Sequence, residues 1–262
     1  MWMNVGRSQF HLPTGNAQVL RGRTGLVIEG REALLERLAR VKPKLADTKF
    51  AFREHNDHVE ATCPWGNKIR VYEPDPARFG QVILGIPYVE FDVPVGVADG
   101  IARFYSQVIK APGKVVDDGN GRAARVLVGH NQHLVFRETT KPIPEYDGHH
   151  LQIYIADFSG PHAWLKAKGL ITEESDQYQY RFKDIVDPDS GKFLYTIEHE
   201  VRMPGCCAVG DHRNGLGRRV SRIGADLHVQ HGGQSPQSLR PDTQSVDLFI
   251  ELDPQFFKLA RR

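Results

Sequence analysis

Imidazoles and carboxylates recur at alternating positions on several short runs of this chain, and alternation puts side chains on one face of a strand. His150, Gln152 and Tyr154 share a face of one run. Glu198 and Glu200 share a face of another, with His199 on its opposite side. Gln132, Leu134, Phe136 and Glu138 share a face of a third. One imidazole with hard carboxylate oxygens is a coherent donor set for a divalent cation. The adjacent pair His149-His150 leaves the register open by one residue, and a satisfied core or edge histidine is the alternative reading. The thiols offer less. Cys206-Cys207 lacks the C-x-x-C spacing of redox and metal sites, so it reads as two free thiols. With Cys63 it fits a reducing, cytoplasmic compartment.

The elements that must position these residues repeat. A short apolar strand, Thr24–Ile28, precedes an amphipathic helix, Arg31 to Leu45, with Leu34, Leu35, Leu38 and Val41 on one face. A second strand, Val89–Val93, precedes a helix carrying Ile101, Phe104, Tyr105, Val108 and Ile109 that stops at Ala111-Pro112-Gly113. A third strand, Leu151–Ile155, precedes a helix that begins near Pro161 and ends at Lys168-Gly169. Turns at Cys63–Asn67 and Asp187–Gly191 lead into closing strands. The fold class expected is α+β, built from tandem β-α-β-β-β modules paired into curled mixed sheets around a cleft. Near the start, Val5–Gln9 matches Val128–Gln132, so the chain reads as beginning partway through a module, with a short β-hairpin serving as an N-terminal arm as the alternative. The division expected is a first half over 1–85 with its leading module truncated, a complete domain over 86–203, and an irregular, largely disordered tail over 204–262. Apolar order returns in that tail only at Val246 to Leu252.

Composition excludes several classes. With 34 Lys+Arg against 32 Asp+Glu, the charge is too balanced for a nucleic-acid-binding stripe. No apolar run approaches the roughly 18 residues of a membrane span. The start, Met1 to Arg7, lacks the basic and apolar regions of a signal peptide. At 262 residues the chain can bury a core without disulfides.

Three motifs, each at its expected place in a module, resemble the vicinal oxygen chelate superfamily of glyoxalases, extradiol dioxygenases and bleomycin-resistance proteins. Ile101-Ala102-Arg103-Phe104-Tyr105 is similar to the family's "I-x-x-F-Y" helix. Pro64-Trp65-Gly66-Asn67-Lys68-Ile69 is similar to its "P-x-G-N-x-I" turn, and Gly148-His149-His150-Leu151 before Ile155-Ala156-Asp157 to its opening strand. The resemblance covers roughly residues 1–203. It implies a divalent metal (Fe, Mn, Ni, Zn or Co) held by the first and last strands of each module and chelated by two substrate oxygens.

Carried onto this chain, the resemblance implies Glu90, His150 and Glu198 as metal ligands, completed by Gln132 or Glu138, with Glu138 and Tyr154 as catalytic groups. Glu90 or Tyr88 stands where the dioxygenases place histidine, which leans toward glyoxalase-like chemistry or toward no metal. At the ligand positions of the first complete module stand Arg23 and Arg70, which cannot bind a cation. With His11 they form a candidate anion site, and two solvated arginines are the alternative.

Three functions follow. One is a glyoxalase- or dioxygenase-like metalloprotein acting on a small oxygen-chelating substrate by lyase, isomerase or dioxygenase chemistry. The second is a metal-free binding or sequestering protein of bleomycin-resistance type, with Phe91, Phe136 and Tyr154 as cleft walls. The third is a ligand-free scaffold. The partner expected is a small molecule, not nucleic acid or membrane. A homodimer is expected if residues 1–85 expose an unpaired sheet edge.

Overall fold

The computed structural model describes residues 2–11, 16–203 and 248–251. A hairpin, β1 (Trp2–Val5) and β2 (Ser8–His11), comes first. The first complete module follows as β3 (Gly22–Ile28), α1 (Arg31–Val41), β4 (Ala51–Glu54), β5 (Val59–Thr62) and β6 (Lys68–Tyr72). A short helix, α2 (Pro76–Phe79), leads to the second module: β7 (Leu84–Pro94), α3 (Ala98–Phe104), β8 (Gly113–Asp117), β9 (Arg122–Gly129) and β10 (Gln132–Thr139). The third is β11 (His150–Tyr154), α4 (Ser159–Ala167), β12 (Ile171–Asp176), β13 (Gln179–Val186) and β14 (Phe193–Arg202). A last strand, β15, spans Leu248–Glu251.

Each module has one pairing logic. Its opening strand lies parallel to its closing strand, and the two middle strands follow antiparallel. Modules then join through their opening strands. β3 pairs antiparallel with β7, giving an eight-stranded sheet in the order β4-β5-β6-β3-β7-β10-β9-β8. The seven-stranded sheet runs β1-β2-β15-β11-β14-β13-β12. In it β15 lies parallel to β2 and antiparallel to β11, the same relations that β3 has to β6 and β7. The fold is thus the expected α+β arrangement of paired β-α-β-β-β modules.

Two expectations about organisation need correction. The opening strand sought ahead of residue 1 is supplied by residues 248–251, so β2 has a partner on each side and the edge invoked for dimerisation is covered. The rest of the tail, including Cys206-Cys207, lies outside the described residues. The division at residue 85 also fails, because it cuts β7 and crosses the eight-stranded sheet. The hairpin β1-β2 belongs instead with the third module, because backbone groups pair by register, whatever the order of segments along the chain.

Local chemistry explains the elements. α1 sets Leu38 against Leu45, Phe50 and Val59. The Ala98 amide at the start of α3 donates to Glu138 Oε1 (2.9 Å), which supplies the helix cap. The P-x-G-N turn buries Asn67, whose Oδ1 accepts from Leu20 N–H (2.8 Å) and whose Nδ2 donates to the Gln18 carbonyl (2.8 Å). α3 and the π-helical turn after it, Tyr105–Ile109, lie between the sheets. Tyr105 packs on Phe136 of β10 and on His199 of β14. Phe104 packs on Phe182 of β13 and Trp164 of α4. The sheets therefore share one apolar core, and their polar faces point away from it.

The seam between the first two modules depends on Gly22. Its φ is +155°, and a Cβ there would lie 1.9 Å from the Glu90 carbonyl oxygen of β7. Gly22→Ala is expected to cost about 1–3 kcal/mol. A urea midpoint equal to that of the parent chain would contradict this account of the seam.

Candidate functional site

The outer face of the seven-stranded sheet collects the polar residues of β2, β11 and β14. His150 pairs in register with Glu198, Gln152 with Glu200 and Tyr154 with Arg202. Opposite residues on adjacent strands project to the same face. Glu251 of β15 lies opposite His11 of β2. One step past the Leu151–Ile250 pair, the antiparallel register brings the Glu251 position level with His150. The positions of His11, Glu251, His150 and Glu198 thus form one row across the first and last strands of two joined modules. Burial, followed by the charge of Arg181, lowers the pKa of His150, against the pull of Glu198 and Glu200. Burial is also the main cause lowering His11. Both imidazoles are therefore neutral at pH 7, the form that donates a lone pair.

The two carboxylates of β14 are held by cations. Arg181 Nη1 donates to Glu198 Oε1 (2.7 Å), and Lys183 Nζ lies 3.5 Å from the same carboxylate. Arg181 also donates to Glu200, which Arg202 Nε bonds at 2.6 Å. Tyr154 is half-buried on this face.

The outer face of the eight-stranded sheet carries a cleft of about 430 Å³ lined by Arg70, Tyr72, Arg78, Tyr88, Glu90 and Arg137, among others. Glu90 is buried between two guanidiniums. Arg137 Nε donates to its Oε2 (3.0 Å), and Arg23 Nε is ion-paired with its Oε1 at 3.1 Å. Arg70 pairs with Glu60 at 3.3 Å, and Tyr72 and Tyr88 share a hydroxyl hydrogen bond of 2.8 Å. Burial, then Arg125 and Lys114, pushes the His133 pKa down to about 4.

The proposed residues therefore divide between sites. His150 and Glu198 come together, whereas Glu90 lies on the other sheet, neutralised by Arg23 and Arg137. Gln132 and Glu138 lie on the core side of β10. Gln132 is buried, donating to Ser8 Oγ (2.6 Å), and Glu138 caps α3, which argues against its role as a general base. Residues of β10 on the Glu90 side are His133, Val135 and Arg137, one position out of step with the face expected. Phe91 and Phe136 stack in the core (5.1 Å) and are not cleft walls. Arg23 and Arg70 both project to the outer face of their sheet, but His11 belongs to the other sheet.

Sequence reading missed the cations that pair with the acids, Arg137 and Arg181. It also missed His55, His58 and Glu60, whose ligand atoms lie within 4.8 Å of one another. The signal available was the spacing His-x-x-His in the turn before β5. Among the described residues, no helix is long and apolar enough to cross a membrane.

No family model matches the chain, and no curated protein matches its sequence. Solved structures do. A candidate dioxygenase from Bacillus subtilis subsp. subtilis strain 168 shares 16% identity over 72% of this chain and 63% of its own, with a TM-score of 0.41. The match thus spans less than two thirds of that protein's length. A glyoxalase I variant from Zea mays shares 14% over 74% and 70%, with a TM-score of 0.42. An antibiotic-binding protein from Streptomyces shares 19% over 44% and 93%, with a TM-score of 0.30. By its own strand order, helix placement and register, the chain has the paired β-α-β-β-β fold expected from its sequence.

Proposed function

We propose that the chain is a glyoxalase-like metalloprotein that acts on a small oxygen-chelating substrate at the outer face of the seven-stranded sheet. The observation that carries this reading is the cross-strand row through His11, the Glu251 position, His150 and Glu198. Two neutral imidazoles with carboxylates make a donor set suited to a divalent ion of the Fe, Mn, Ni, Zn or Co type. His11 and His150 would hold it, with the carboxylate of Glu198. Such an ion polarises substrate oxygens as a Lewis acid. Burial keeps both imidazoles unprotonated, and Arg181 hydrogen-bonds Glu198 and Glu200 beside them. Tyr154, two positions along the same strand face, is the residue best placed to orient substrate.

A second reading has its own support. Arg181 already neutralises Glu198 and Glu200, which favours a metal-free cleft that sequesters its ligand. The anion site proposed for Arg23 and Arg70 takes an altered form. Arg70 lines the arginine-rich cleft of the other sheet together with Arg125, while Arg23 is committed to Glu90.

Metal titration separates the two main readings. Chelator-stripped protein is expected to take up Ni(II) or Co(II) at this face, and His150→Ala or His11→Ala to weaken that binding at least tenfold. Uptake at pH 7 that is indifferent to both substitutions would sink the metalloprotein reading.

A further inference from the structure

We infer that the hairpin between β4 and β5 carries a second, separate metal site, in which His55, His58 and Glu60 bind a zinc-like divalent ion at the rim of the arginine-lined cleft. The three side chains each offer one ligand atom within 4.8 Å of the others. The imidazoles stand face to face, with ring centroids 4.5 Å apart and planes 9° from parallel. Their lone pairs lie in nearly parallel ring planes, so one ring turns about its side-chain torsions for both nitrogens to meet a common ion. Nε2 of His55 and Nε2 of His58 are both buried without a hydrogen-bond partner. Buried polar atoms in a folded chain have partners, and an ion supplies one to both nitrogens at once.

The surroundings of His58 match those of a metal-ligating histidine. Its Nδ1 is hydrogen-bonded to Asp57 Oδ1 at 2.7 Å, which leaves Nε2 to face outward from that pair. A carboxylate on the far nitrogen fixes the ring and raises its basicity as a ligand. Arg78 donates to the other oxygen of Asp57 (2.9 Å), and its guanidinium lies over the Tyr72 ring, which also packs against His58. Glu60 gives only Oε2 to Arg70, so Oε1 remains for the ion. Arg70 and Arg78 are each matched by a carboxylate, so neither presents an unbalanced positive charge to the cation. Imidazole with carboxylate oxygen suits zinc and its neighbours better than calcium or magnesium. The site lies at the hairpin joining the middle strands of its module, not on opening and closing strands of the kind that bear His150 and Glu198, and it shares no residue with them.

Zinc titration of the full chain tests this, read in a His150→Ala background so that the two sites are told apart. That chain is expected still to bind zinc, and His58→Ala within it to abolish the binding. Asp57→Asn keeps all three ligands, and is expected to weaken zinc about tenfold or more. A measurement on the unsubstituted chain guards against misfolded variants: saturating zinc is expected to slow hydrogen exchange at amides 55–60. Zinc binding unchanged by His58→Ala, or exchange at 55–60 indifferent to zinc, would overturn the assignment.

Discussion

Arg137→Met is expected to destabilise the protein by about 3 kcal/mol, because breaking one side of a buried ion pair leaves its partner uncompensated. Arg137 and Glu90 are 9% and 8% exposed. The guanidinium does three jobs at once. It bonds Glu90, grips Asp118 with two parallel bonds (2.9 and 2.8 Å), and donates to the Gly121 carbonyl (2.8 Å). Arg23 stays with Glu90 after the substitution, which keeps the cost at the lower end of the usual range. Glu90→Met combined with Arg137→Met is expected to recover part of the loss, since no buried carboxylate is then stranded and Arg23 keeps Asp92 at 3.9 Å. Urea melts of both singles and the double give the coupling. Strictly additive losses would show that the pair is not coupled and that the account of the cleft floor is wrong.

Acid is expected to unfold the protein early, with His199 as a main cause. This side chain is fully buried, stacks on Phe182 at 4.2 Å, and shares a 2.6 Å hydrogen bond with the Tyr105 hydroxyl. Burial pushes its pKa down to about 3 from 6.5. A depressed histidine contributes full stability above its unfolded pKa. It loses that contribution as pH falls from 6.5 toward 3, because only the unfolded chain then takes up the proton. By pH 4.5 the loss from this residue is about 3 kcal/mol. His199→Phe is expected to cost stability at pH 7 by leaving the Tyr105 hydroxyl unpaired, yet to flatten the decline between pH 7 and 4.5. Parallel pH profiles for the two proteins would contradict the assignment.

Elements governed by local pattern were legible in the sequence. The helix expected over Arg31 to Leu45 is α1 plus a 3-10 turn at Lys42–Leu45, and the three opening strands and the closing strands lie where alternation puts them. Glu198 opposite His150 was legible too, because both follow from period two and the parallel pairing of a module. What failed depends on long-range pairing. Nothing local in Ser8–His11 says that it joins β15 rather than the module after it, although the apolar run at Val246 to Leu252 was visible. The face of β10 was misread by a single position, which moved Gln132 and Glu138 from the core side to the cleft. Period two also says nothing about which cation reaches a given acid. Glu90 therefore read as a free ligand until Arg23 and Arg137 were seen on either side of it.

Anomalous diffraction from crystals grown with Co(II) decides whether the cross-strand row on the seven-stranded sheet is a metal site. An anomalous peak is expected within bonding distance of both His11 and His150, with at least one carboxylate oxygen from the same row, and no such peak in crystals of His150→Ala. Fully bound cobalt elsewhere on the chain, with no density between His11 and His150, would contradict it.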